Sequence, residues 1–136
     1  LIKVKRQGGI TMIEELVTLE TAKMLKEKGF NKFCSFAYID EYCNLMSVHT
    51  TNSLIDKMGL GYSAPNQSFA QKWLRETKNI HICVYNCACG YGYEISKADN
   101  GTHIASSTYK GTNDGGEWDT YEEALEAGIF EDLKLI

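Results

Sequence analysis

The residues of this chain best suited to chemistry gather in one short run, His81-Ile-Cys83-Val-Tyr-Asn-Cys87-Ala-Cys89, which sets one imidazole and three thiols within nine residues. Nitrogen and sulfur donors are what a tetrahedral zinc takes, so His81, Cys83, Cys87 and Cys89 are the metal candidates. On an extended segment His81 and Cys83 share one face, but Cys87 and Cys89 lie around a turn. No second cysteine pair stands at zinc-ribbon spacing elsewhere in the sequence. The expectation is therefore of thiols packed in and around a sheet, with no metal and no cofactor. A thiolate paired with His49, His81 or His103 is the other chemistry these residue types allow, and no local signature supports it. Gly90-Tyr-Gly92 lies between strands, and Gly115-Gly116 precedes an acidic helix start that repels phosphate, so neither reads as a phosphate loop. The sequence predicts a protein that is not an enzyme.

Two surfaces remain as candidates for binding. Tyr85, Tyr91, Tyr93 and Tyr109 can form an aromatic platform on a sheet, the kind of residue enriched at protein interfaces. Glu122 and Glu126 stand on the outer face of an acidic last helix, where a row of carboxylates can also imitate a phosphate backbone. Lys72, Arg75 and Lys78 form the one basic helical face outside the N-terminal third.

Composition narrows the classes. A chain of 136 residues is the usual size of one domain, and 43% hydrophobic with 24% charged residues is near the globular average. No window reaches the ~20 apolar residues that a membrane-spanning helix requires. Five cysteines at irregular spacings suit a reducing compartment better than a disulfide framework, and the expected setting is the cytoplasm. The net charge of -4 is unevenly spread: residues 1–32 carry seven Lys or Arg against four Glu, and residues 79–136 carry three Lys against ten acids. An acidic C-terminal third repels nucleic acid, so nonspecific nucleic-acid binding is not expected.

The elements that must position these residues follow from periodicity. Residues 1–11 read either as a short basic arm or as a translated ribosome-binding sequence ahead of a natural start at Met12. Residues 12–136 read as a single α+β domain. Thr18 caps a first helix that closes at Gly29, with Phe30 folding back on Leu25. Phe33 to Val48 is β-favouring and interrupted by Asp40-Glu41, which predicts a hairpin with strands at 34–39 and 43–48. His49 to Tyr62 reads as a loop containing a single turn of helix.

Pro65 and Asn66 then open a helix with Phe69, Ala70, Trp73, Leu74 and Thr77 on one side. At Asn79 the period switches to two, with Ile80, Ile82 and Val84 alternating against His81, Cys83 and Tyr85. Tyr91 to Ser96 gives a second strand, Asp99-Asn100-Gly101 a tight turn, and Thr102 to Tyr109 a third strand. Thr120 with Glu123 makes a capping box for a final helix striped by Tyr121, Leu125, Ile129, Leu133 and Ile136. The predicted fold is α+β, an antiparallel sheet packed against helices in the order α-β-β-α-β-β-β-α. The last five elements share the order of the double-stranded-RNA-binding domain, whose final helix begins basic, whereas Asp119, Glu122 and Glu123 stand here.

The runs Ala64-Pro-Asn-Gln-Ser-Phe-Ala-Gln-Lys-Trp-Leu-Arg-Glu with Asn79-Ile-His-Ile, and Gly115-Gly-Glu-Trp-Asp-Thr-Tyr-Glu-Glu-Ala-Leu-Glu-Ala-Gly ending Leu133-Lys-Leu-Ile, resemble a family of small uncharacterised proteins of gut bacteria and their phages and mobile elements. The resemblance covers most of residues 12–136 and implies a phage or prophage setting, with no catalytic residues to transfer. The expected role is that of an accessory protein binding a protein partner, or associating with itself. The alternatives are a nucleic-acid binder using the Lys72, Arg75 and Lys78 face and an acidic DNA mimic acting through the C-terminal helix.

Overall fold

The computed structural model describes residues 2–5 and 13–136, with the side chains described from Glu15 onward. The start expected at Met12 lies outside the described residues, and of the expected basic leader only Ile2–Lys5 is described, as a strand. The chain forms an α+β fold, with four helices and antiparallel sheets among the described residues, and the predicted succession of elements is present. Among the described residues no helix is long and apolar enough to cross a membrane. Contacts divide the chain into two compact units, one ending at Asn66 and one running from Gln67 to Ile136.

In the first unit β1 (Ile2–Lys5) pairs with β2 (Ile13–Leu16), and α1 (Leu19–Glu27) follows. The Thr18 hydroxyl accepts from the Thr21 amide at 3.4 Å and so satisfies one of the open N–H groups of α1. At the other end Gly29 takes φ 96 and the Phe30 amide donates to Leu25 O at 2.9 Å, the turn its sequence predicts. Strands β3 (Cys34–Ile39), β4 (Asn44–Thr50) and β5 (Gly61–Ser63) make an antiparallel sheet in the order β4-β3-β5.

Between β4 and β5 lies a helix, α2 (Asn52–Met58), where the sequence predicts a loop with one turn. Thr51 caps it, and Asn52 explains it: its buried amide donates to Phe30 O at 2.7 Å and its Oδ1 accepts from the Ser63 amide at 2.9 Å. Both bonds join positions far apart in sequence, which no local pattern announces. The core takes in Val17, Ala22, Leu25, Phe30, Ala37, Tyr38 and Ile55, with the Tyr38 hydroxyl donating to Val17 O at 2.8 Å. Cys34 is buried there too, and burial pushes its thiol up to about 12.

In the second unit α3 (Gln67–Lys78) runs into β6 (Ile80–Cys87) through Asn79, which adopts the left-handed conformation at φ 57. Strands β7 (Gly90–Lys97) and β8 (His103–Ser106) complete a sheet ordered β6-β7-β8, shorter in its third strand than the sequence predicts. Thr120 caps α4 (Tyr121–Leu135) by accepting from the Glu123 amide at 3.1 Å. Ile82 opposes Ile95 and Val84 opposes Tyr93, so one sheet face is apolar, and α4 packs on β6 and β7. Leu125, Ile129 and Leu133 are buried there, each contributing about 2 kcal/mol of transfer free energy. Asp132 is buried with them at 0% exposure, and neither of its carboxylate oxygens has a hydrogen-bond partner among the described residues.

Candidate functional site

The residues singled out in the sequence do not converge. His81, Cys83 and Tyr85 share the sheet face opposite α4, whereas Cys87 ends β6 and Cys89 lies in the β6-β7 turn, with Cys83, Cys87 and Cys89 all exposed. The same register puts Ser96 and then His103 in line with His81 across the sheet, and Glu94 and Ser106 in line with Cys83. Among the described residues no three His, Cys, Asp or Glu side chains are grouped so as to hold a metal ion.

The tyrosine platform is corrected at Tyr93. Tyr93 is 2% exposed, stacks on Trp118 at 5.7 Å and lies on the helix-covered face. It is unavailable to a partner, and burial, followed by Glu131 and Asp132, pushes its hydroxyl up to about 12. Tyr91 is half-buried and meets Tyr121 edge to face at 6.3 Å. Tyr85 lies on the opposite face, where its hydroxyl donates to Glu117 Oε1 at 3.3 Å and lies 3.4 Å from Ser107 Oγ. Only Tyr109, 83% exposed, stands clear. An alternation of two separates residue 85 from residues 91 and 93 once the hairpin register pairs Tyr85 with Gly92.

Charge on the helices is largely engaged. Gln67 Nε2 donates to Glu126 Oε2 at 3.1 Å and to Glu122 O at 2.9 Å, leaving both Glu122 and Glu126 half-buried. Lys110 and Lys134 approach Glu131 at 3.2 and 4.0 Å. On α3, Lys72 reaches Glu76 at 3.9 Å and Lys78 lies 5.4 Å from the Trp73 ring centroid. These contacts shrink both the acidic row of α4 and the basic face of α3.

The first unit carries the feature the sequence reading missed. At the junction of α2 and β5 a cavity of ≈ 240 Å³ is lined by Ile39, Asp40, Ile55, Met58, Gly59 and Leu60. Ile55 is its buried floor, while Met58 at 72% and Leu60 at 70% stand out at its rim. Apolar side chains this exposed, side by side around a concavity, mark a contact surface more often than scattered single residues do.

Rigid elements hold this rim in place. The Gly59 amide donates to Ile55 O at 3.0 Å and the Asp40 amide to Leu60 O at 3.2 Å, so the two sides of the cavity are tied through the main chain. Lys26 of α1 pairs with Asp56 and donates to Gly61 O at 3.0 Å, with its Nζ 5.2 Å from the Tyr62 ring centroid. Asp40 sits at φ 72 and accepts from the Tyr42 amide at 2.8 Å and from Asn44 Nδ2 at 3.1 Å. The arrangement offers an apolar socket bordered by Asp40, whose carboxylate is bonded to the β3-β4 turn. Its sequence signal was the run Met58-Gly59-Leu60-Gly61, which a period-based reading assigns to a loop. No protein-family model, curated protein or solved structure matches the chain.

Proposed function

We propose that this chain is a non-enzymatic accessory protein, acting in the cytoplasm in a phage or prophage setting, that works by binding a protein partner through the socket between α2 and β5. The observation that carries the reading is the exposure of Met58 and Leu60 at the rim of a cavity whose floor is Ile55. Covering such side chains removes apolar area from water at roughly 25 cal/mol per Å², and a single anchored apolar residue commonly dominates an interface. Asp40 on the wall favours an anchor followed by a lysine or arginine, since a cationic neighbour of the anchor would meet its carboxylate.

A displayed random-peptide library panned on the purified protein tests the reading. Enriched peptides are expected to share a Leu, Met or Phe next to a basic residue. Their binding should weaken at least about tenfold in Leu60→Asp, which desolvates a charge against the anchor at an exposed position that contributes little to folding. Peptides lacking that pattern, or binding unchanged in a Met58→Asp, Leu60→Asp double variant, would remove the socket from consideration.

A further inference from the structure

We propose that β6 is the pairing edge of a symmetric dimer, in which a second copy of this chain adds its own β6 antiparallel to the first and joins two three-stranded sheets into one of six. The backbone groups of this edge are placed by the ladder itself. The Tyr93 amide donates to Ser107 Oγ at 2.9 Å and the Ser107 amide to Tyr93 O at 2.9 Å, so both main-chain groups of Tyr93 face β8. Val84 opposes Tyr93, and in an antiparallel ladder a residue opposite one that faces away also faces away. Val84 therefore points its N–H and C=O outward, and alternation gives Ile80, Ile82 and Asn86 the same direction. Gln71 Nε2 reaches Ile82 O from that side at 2.8 Å, which agrees with the assignment and means that this one carbonyl must exchange Gln71 for the Asn86 N–H of a second copy.

An edge strand is a template for another strand unless something blunts it. Three of the four edges in the two three-stranded sheets are blunted. β5 is three residues long, β8 is four residues long with a register shift opposite Ile95 and Ser96, and β4 carries a register shift between its pairings to Cys34 and Phe36. β6 is eight residues long, pairs one for one with β7 throughout, and contains no proline and no Lys, Arg, Asp or Glu. A partner strand must be extended and must not strand a charge on this neutral edge, and β6 itself meets both conditions. With the two-fold axis at Val84, Val84 faces its own copy, Ile82 faces Asn86 and Cys83 faces Tyr85, with no like charges opposed. The contact closes on itself, and the two edges left outside are the short, shifted β8 strands.

Sedimentation equilibrium at about 100 μM in the presence of a thiol reductant, which prevents links through the exposed cysteines, is expected to give the dimer mass. Asn86→Pro should weaken it at least about tenfold, because proline deletes an outward N–H that β7 does not use and sets its ring where the second strand must lie. Amide exchange supplies an arm free of mutation. The Val84 N–H should be protected in the concentrated protein and lose protection on dilution, while the Cys83 and Tyr85 amides, which face β7, stay protected in both. A monomer with a freely exchanging Val84 amide overturns the proposal. So does a dimer that survives Asn86→Pro, and so does Val84 protection that ignores concentration. If Asn86→Pro fails to fold, the exchange result alone decides.

Discussion

Asp132→Asn is expected to flatten a pH dependence of stability that the native second unit shows between about pH 4 and pH 7. Asp132 lies on the core side of α4, and burial, with Glu131 adding to it, pushes its carboxyl from 3.8 up to about 7. The charged group that acts on it is Glu131, which Lys110 and Lys134 approach; Tyr93 from β7 stays neutral across this range. An acid whose folded pKa is raised binds its proton more tightly when folded. Its contribution is harmless below the unfolded value of 3.8 and becomes a growing penalty as pH rises, reaching its plateau above about 7. The interval amounts to a penalty on the order of 4 kcal/mol at neutral pH.

Asparagine keeps the shape and cannot ionise, so the stability of the variant relative to the parent should rise by about 4 kcal/mol between pH 4 and pH 8, or on the order of 20 °C in midpoint. Trp73 and Trp118 both belong to the second unit, so tryptophan fluorescence during urea unfolding reads this unit directly. Parallel pH profiles for parent and variant would show that Asp132 is ionised at no cost and that its burial has been misjudged.

Gly116→Ala should destabilise the same unit by more than about 3 kcal/mol. Gly116 stands at φ 80 in the connection between β8 and α4, and a methyl group there would overlap the main chain of Tyr109. That connection is drawn tight by main-chain bonds: Gly116 N donates to Asn113 O at 2.8 Å, and Trp118 exchanges bonds with Tyr91 at 2.9 and 2.8 Å. Opening it would also loosen the Tyr85 and Glu117 contact and the stacking of Trp118 on Tyr93. Gly101 is the natural control, since it has φ 74 with no atom within 4 Å of where a methyl group would stand. Alanine there meets backbone strain alone, about 1 kcal/mol. Equal losses at the two positions would mean that the connection yields freely and that close approach contributes nothing.

What the sequence made legible was whatever is written locally. Thr18, Gly29, Asn79 and Thr120 are caps and stops whose effect depends on their own neighbours, and the change of period at Asn79 marks the passage from α3 to β6. What it hid depends on partners distant in sequence. Ser53-Leu-Ile-Asp-Lys-Met is too short to display a helical period, and α2 is secured by Asn52 reaching Phe30 and Ser63. The tyrosines were sorted by hairpin register, which a list of aromatic residues does not contain. Asp132 falls among acids on a helix that reads as acidic outside, and only the packing of α4 turns it inward. The socket at Met58 and Leu60 was hidden for the converse reason, because a sequence does not say which of its apolar residues will be left uncovered.

The sealed state of Cys34 makes the chain its own reporter. A thiol held near 12 and closed off from water is inert toward alkylating reagents, whereas Cys83, Cys87 and Cys89 lie open to them. Brief treatment with iodoacetamide should therefore modify the exposed trio at once. Slow labelling of Cys34 thereafter would clock each opening of the first unit, residue by residue in a mass spectrum and with no probe introduced.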